Sequence, residues 1–147
     1  MSQSRISVTI GQLAILVLLN GCSTFNRDWD AAVTSTRSIV GPWEGVWKSE
    51  TTGHTDKLRC LVSERSDQGY EARFHAHYRH IFVFNYTVLL GLEKRDSELM
   101  LSGKADLGSL KGGVYEYHGK ATPSNFVCRY SSCYDRGTFV MHRPGVN

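Results

Sequence analysis

The stretch YEARFHAHYRHIFVFNYTVLL, Tyr70 to Leu90, decides the fold class. Side chains two apart on a β-strand point the same way, so each half can be sorted into two faces. Ala72, Phe74, Ala76 and Tyr78 share one face, and Glu71, Arg73, His75, His77 and Arg79 share the other. In the second half Phe82, Phe84, Tyr86, Val88 and Leu90 fall together. All of these apolar positions are even-numbered, and neither Gly nor Pro interrupts the connection. A two-residue hairpin would send Phe82 to the face opposite Tyr78. An odd loop, or one long bent strand, keeps the aromatic residues together; the odd loop is preferred.

Outward from this pair the same grammar repeats. Eight short β segments are read at Pro42–Ser49, Lys57–Glu64, Tyr70–Tyr78, Phe82–Leu92, Glu98–Ala105, Gly113–Ala121, Phe126–Ser131 and Gly137–Arg143. Turn-forming clusters separate them: TTGH, SDQG, KRDS, GSLKGG, TPSN and CYDRG. No stretch offers an amphipathic helix of length, beyond a turn or two within Asp28–Val33. Closely spaced strands without helices predict an all-β, antiparallel eight-stranded barrel over residues 41–147, with a β-sandwich as the alternative.

The N-terminus is of a different kind. One charge, Arg5, precedes an uncharged run from Ile6 to Leu19, which is too short to span a bilayer and matches a secretory signal. The run ends Leu19-Asn20-Gly21-Cys22, which resembles the lipobox of bacterial lipoproteins. That resemblance implies a signal peptide over residues 1–21, cleavage before Cys22, diacylglycerol on its sulfur and acylation of the new amino terminus. Several acyl chains hold a protein stably where a single chain is marginal. Ser23, where an aspartate would signal inner-membrane retention, points by the same analogy to the outer membrane. Residues 22–40 then read as a lipidated N-terminus and flexible tether.

A second resemblance lies in GPWEGVW, Gly41 to Trp47. A Gly-x-Trp opening the first strand is similar to the signature of the calycin superfamily, the lipocalin, fatty-acid-binding and avidin-like barrels. It implies that a basic residue of the last strand packs over the Trp at the closed end. Trp43 and Arg143 are the residues that match.

The chemistry is sparse. Cys22 aside, Cys60, Cys128 and Cys133 remain for an oxidising compartment. Cys60 and Cys128 lie on the apolar parity of their strands and are a candidate disulfide; Cys128–Cys133 is the alternative staple. His75 and His77 point the same way, as a shared metal would need, but Arg73 and Arg79 on that face oppose a cation. No metal site is assigned. A solvated face is the first reading, and an anion-binding stripe of Arg73, His75, His77 and Arg79 the second. Glu44 and Glu116 read first as solvated or salt-bridged carboxylates, and as an acid pair only if both face inward, and Asp106 and Asp135 fit Asx-type turns. No Gly-x-Ser-x-Gly elbow or phosphate loop is present in the sequence. A formal charge of +3 disfavours nucleic acid.

The expectation is therefore a binding protein rather than an enzyme, without a cofactor, anchored to a membrane by its N-terminal lipid. Phe74, Tyr78, Phe82, Phe84 and Tyr86 would line a cavity for a small apolar ligand or lipid. If they fill the barrel instead, the protein is a structural or partner-binding lipoprotein that acts through its outer surface.

Overall fold

A computed structural model describes residues 24–35, 37–67 and 69–145, which divide into two units at Ala31/Ala32. Cys22 and the signal-like run lie outside the described residues. In the first unit residues 24–31 form a short helix, with the rings of Phe25 and Trp29 stacked one turn apart at 5.9 Å. It ends before Val33, where the run Val33-Thr34-Ser35 is poor helix-forming sequence.

The second unit is a closed barrel of eight antiparallel strands: β1 Gly41–Ser49, β2 Thr55–Glu64, β3 Tyr70–Tyr78, β4 Phe82–Arg95, β5 Glu98–Asp106, β6 Val114–Ala121, β7 Asn125–Ser131 and β8 Arg136–His142. Each strand pairs with the next, and β8 returns to β1 with Gly45 opposite Met141. Closure sets the sandwich alternative aside and leaves no free outer strand. At the β1–β8 seam a Cβ on Gly45 would lie 2.0 Å from the Val140 carbonyl oxygen, and one on Gly137 would lie 1.9 Å from that of Lys48. The two strands come together this closely only because those positions carry no side chain.

The hairpin of β3 and β4 has the odd loop. Tyr78 stands opposite Phe82, so Arg79, His80 and Ile81 make a three-residue turn and the even-numbered residues stay on the inner face. Arg79 and His80 take positive φ there (52° and 60°). L-residues adopt that conformation reluctantly, and here they do so in an exposed turn.

One end of the barrel is shut. Trp43 is fully buried, and its indole N–H donates to the Ile39 carbonyl at 2.8 Å. Ile39 is itself buried, and Ser35 Oγ accepts the backbone N–H groups of Arg37 and Ser38. The segment expected as the end of a tether thus belongs, from Ala32, to the barrel unit. It packs here because Ile39 and Val40 are apolar and Ser35 supplies the turn that delivers them. Arg143, just beyond β8, lies with its guanidinium carbon 3.8 Å from the centre of the Trp43 ring. The other end, which carries the turns after β1, β3, β5 and β7, is the mouth.

Candidate functional site

The lower half of the barrel is filled. Phe74 is buried and makes ring contacts with Tyr86 (5.1 Å), Phe139 (5.3 Å) and Tyr117 (6.4 Å). Above this layer the barrel opens into a cavity of about 510 Å³. That size suits a small organic ligand. Its walls are largely aromatic: Trp47 and Tyr78 on one side, Phe84 and Tyr86 on β4, and Tyr115, Tyr117, Tyr130 and Phe139 from β6, β7 and β8. Trp47 and Tyr78 stack at 6.2 Å, and the Trp47 indole N–H is fixed on the His77 carbonyl at 2.8 Å.

The cavity also has a side opening. β4 pairs with β5 only from Leu89 onward and β5 stops at Asp106, so Phe82–Val88 have no ladder partner on that side. The β5–β6 loop faces this flank. Leu107, Leu110 and Lys111 line the cavity there together with the outward-pointing Asn85 and Thr87.

Few polar groups reach the walls, and most are held. Asp135 Oδ1 accepts the Ser49 hydroxyl at 2.7 Å and the Arg136 N–H, while Oδ2 accepts the Tyr130 hydroxyl at 3.0 Å. Asp106 accepts the Gly108 N–H at 2.8 Å in an Asx-type turn. Burial pushes the Tyr86, Tyr117 and Tyr130 phenols up from the usual range, and the Asp135 carboxylate adds to the effect on Tyr130. These phenols remain neutral at ordinary pH. The arrangement suits an apolar or aromatic body with few hydrogen-bonding groups.

At the rim Asp56 has a fully buried side chain, with His54 Nε2 at 3.6 Å and His80 Nδ1 at 3.5 Å. Its oxygens accept the Lys57 N–H at 2.8 Å and the His80 N–H at 3.2 Å. Burial by itself would raise this carboxyl, but the two N–H groups and the two imidazoles outweigh it and hold the pKa below the usual carboxylate value. Asp56 thereby ties the β3–β4 turn to β2.

Of the residues expected to line a cavity, Tyr78, Phe84 and Tyr86 do so. Phe74 lies one layer lower and forms the packed floor. Phe82 is 57% exposed beside the turn, too near the strand end to have neighbours across the barrel. The contributions of β6, β7 and β8 were not picked out, although alternation in VYEYHGKA and GTFVMH puts Tyr115, Tyr117 and Phe139 inward.

The remaining candidates need correction or placement. Cys60 and Cys128 are both buried but are free thiols, not a disulfide. Their cross-strand neighbours are Trp43 and Phe74 for Cys60, and Gly119 and Phe139 for Cys128. β1 and β8 stand between their strands, so no ladder draws the two backbones into the range of about 4.4–6.8 Å between Cα atoms at which disulfides form. Burial pushes the Cys60 thiol well up and the Cys128 thiol to about 12. Arg73, His75 and His77 stand on the outer face of β3, but Arg79 does not join them, because the strand ends at Tyr78. His75 is buried, and its Nδ1 lies 2.7 Å from Asn85 Oδ1. Burial pushes its imidazole below the usual range, so it charges only at lower pH. Glu116 faces outward in a 2.7 Å ion pair with Lys104, which removes the acid pair. Among the described residues no group of three or more His, Cys, Asp or Glu side chains could hold a metal ion. Comparison with protein-family models, curated proteins and solved structures finds no match for this chain.

Proposed function

We propose that the chain is a lipid-anchored protein of the bacterial envelope, and that its barrel holds a small ligand with an apolar or aromatic body in the mouth. The observation that carries the binding reading is the cavity of about 510 Å³, walled by aromatic rings and open at one end. The lipobox-like Leu19-Asn20-Gly21-Cys22 supports the anchor and the outer-membrane location. The Arg143 guanidinium over Trp43, at the shut end of an eight-stranded meander, supports the calycin-like reading. No catalytic step is assigned, because the carboxylates of the wall are already engaged by Ser49, Tyr130 and the Gly108 N–H.

The packed lower half, with Phe74 against Tyr86, Tyr117 and Phe139, favours a second reading: a structural or partner-binding lipoprotein that acts through its outer surface. Native mass spectrometry of residues 23–147, exported behind a cleavable secretory signal and purified without detergent from a bacterial periplasm, separates the two. Added mass that leaves on denaturation is the expected result. Bare polypeptide mass, unchanged after incubation with a panel of amphiphiles, would reject the ligand reading in favour of the second.

A further inference from the structure

The mouth exposes large apolar side chains that folding does not explain. Leu110 is 100% exposed, Ile81 79% and Val114 52%, with Phe82 beside them. Ile81 stands on the β3–β4 turn and Leu110 on the β5–β6 loop, with Phe82 opening β4 and Val114 opening β6, around the side opening next to β4. Leu110 is held out rather than left loose. It sits in a single 3-10 turn, Ser109–Lys111, between Gly108, Gly112 and Gly113, all at positive φ. The Lys111 and Gly113 N–H groups both donate to the Gly108 carbonyl, and the Leu107 N–H donates to that of Gly113.

Charge sits beside each apolar tip. Arg79 precedes Ile81 by two residues and Lys111 follows Leu110, and among the described residues neither has an ion-pair partner. None of the acids of the mouth engages Arg79 or Lys111: Glu50 pairs with Arg129 at 3.2 Å and Asp56 lies against His54 and His80, while Asp135 accepts from Ser49 and Tyr130 and Asp106 from the Gly108 N–H, bonds that fix these two carboxyls without cancelling charge. Arg79 rests 5.4 Å over the Tyr78 ring, and apolar tips beside cations that no carboxylate engages complement an interface of acyl chains and anionic headgroups. The tips project from separate loops on both sides of a slot. That geometry suits entry into a fluid interface better than packing against a rigid partner.

We propose that the mouth docks on anionic lipid bilayers. Ile81, Phe82 and Leu110 enter the interface, Arg79 and Lys111 meet headgroup phosphates, and the slot between β4 and the β5–β6 loop opens toward the acyl chains. The proposal rests on the ligand reading in one respect: the docked face is the doorway of the cavity, so the cargo class it implies is a membrane amphiphile.

The test uses residues 23–147, free of both Cys22 and the apolar run Ile6–Leu19 that could itself enter a bilayer; Cys133 is then the exposed thiol, and Cys60 and Cys128 are buried. Cys133 lies in the β7–β8 turn at the mouth, where a nitrobenzoxadiazole label reports on the bilayer. A Ser124→Cys/Cys133→Ser chain puts the same label on the β6–β7 turn at the shut end. The Cys133 label should shift to the blue with vesicles of phosphatidylcholine and phosphatidylglycerol, and hardly with phosphatidylcholine alone. The label at position 124 should stay silent. Ile81→Asp/Leu110→Asp should abolish the shift, and Arg79→Glu/Lys111→Glu should weaken apparent vesicle affinity on the order of tenfold. A silent Cys133 label, an equal shift at position 124, or a shift that grows with protein concentration without vesicles overturns docking; the last result would mark self-association. Cargo is scored separately by native mass spectrometry. Bare mass in a chain that still docks sinks the ligand reading alone, and retained mass in a chain that does not dock sinks docking alone.

Discussion

The guanidinium of Arg143 lies flat enough on Trp43 to bring its central carbon within 3.8 Å of the ring centre, and it donates to three backbone carbonyls from three separate segments. Nη2 reaches Ser38 at 2.6 Å, Nη1 reaches Pro42 at 3.1 Å and Nε reaches Pro123 at 3.0 Å. One side chain thus ties the segment before β1, the start of β1 and the β6–β7 turn together at the shut end. Burial pushes its pKa down to about 10, which still leaves it charged at neutral pH.

Arg143→Ala removes those bonds and leaves three carbonyls facing a void, a loss of about 3–4 kcal/mol in urea unfolding. Arg143→Lys keeps the charge but cannot present a planar fork to three acceptors, so about 2 kcal/mol of the loss should persist. Full recovery by lysine would mean that charge over the indole, not the fork, stabilises this end.

Gly137 sets the other closure. Its absent Cβ leaves room for the Lys48 carbonyl and for the Tyr130 hydroxyl, which would lie 2.6 Å from such an atom. Gly137→Ala should cost about 2–3 kcal/mol, because β8 must retreat from β1 and Tyr130 must leave Asp135. Gly91→Ala is the matched control. Its Cβ would meet only ordinary contacts beyond 3.4 Å, and unfolding should move by less than about 0.5 kcal/mol. Equal effects at the two sites would show that strand propensity, not close approach, governs both.

Asp56 makes part of the stability acid-labile. Its folded pKa lies below the ordinary carboxylate value, so the unfolded chain takes up the proton first as pH falls. The contribution is fully present above that unfolded value and is lost as pH drops through the folded one. Asp56→Asn should be less stable than the parent by about 1–2 kcal/mol from pH 5 to 7. The gap should begin to narrow below about pH 4 and shrink further as the pH falls, which denaturant melts across the range would follow. A gap that does not narrow at all as the pH falls from 5 would assign the loss to packing rather than charge.

How much of this was legible in the sequence differs by feature. The barrel strands follow from two-residue alternation, and the three-residue turn follows from Tyr78 and Phe82 sharing parity. Trp43 and Arg143 were paired by resemblance, since nothing in their spacing says that residues a hundred positions apart should stack. The cavity was half legible. Alternation puts Tyr86, Tyr117, Tyr130 and Phe139 inside, but whether they meet as packing or as a wall depends on strand stagger, which no local pattern encodes. The burial of Asp56 was not legible, because TGHTDKL reads as a polar turn until His80 arrives from β3–β4. Parity placed Cys60 and Cys128 inside the barrel correctly and said nothing of the strands between them.

Those two thiols give a direct test. With pKa values raised by burial, Cys60 and Cys128 should not react with Ellman's reagent in the folded Cys22→Ala chain at pH 8, whereas exposed Cys133 should react at once. Denaturation should then release two further equivalents, which a Cys60–Cys128 disulfide would withhold. Failure of those equivalents to appear without reductant would restore the bridge.

The cavity itself is tested by filling it. Ala76 lines the cavity on β3 opposite Phe84, where its methyl leaves room that a larger side chain would take. Ala76→Trp should weaken binding of a fluorescent amphiphile by tenfold or more, about 1.4 kcal/mol, while an indole in existing space costs the fold little. Phe82→Ala, at the rim and outside the cavity lining, should change the affinity in vesicle-free solution by less than about threefold. If Ala76→Trp binds as the parent does and melts at the same denaturant concentration, the amphiphile sits elsewhere and the mouth is not the binding site. If Phe82→Ala is the damaging change, the ligand rests on the rim, and the aromatic walls below it serve the fold alone.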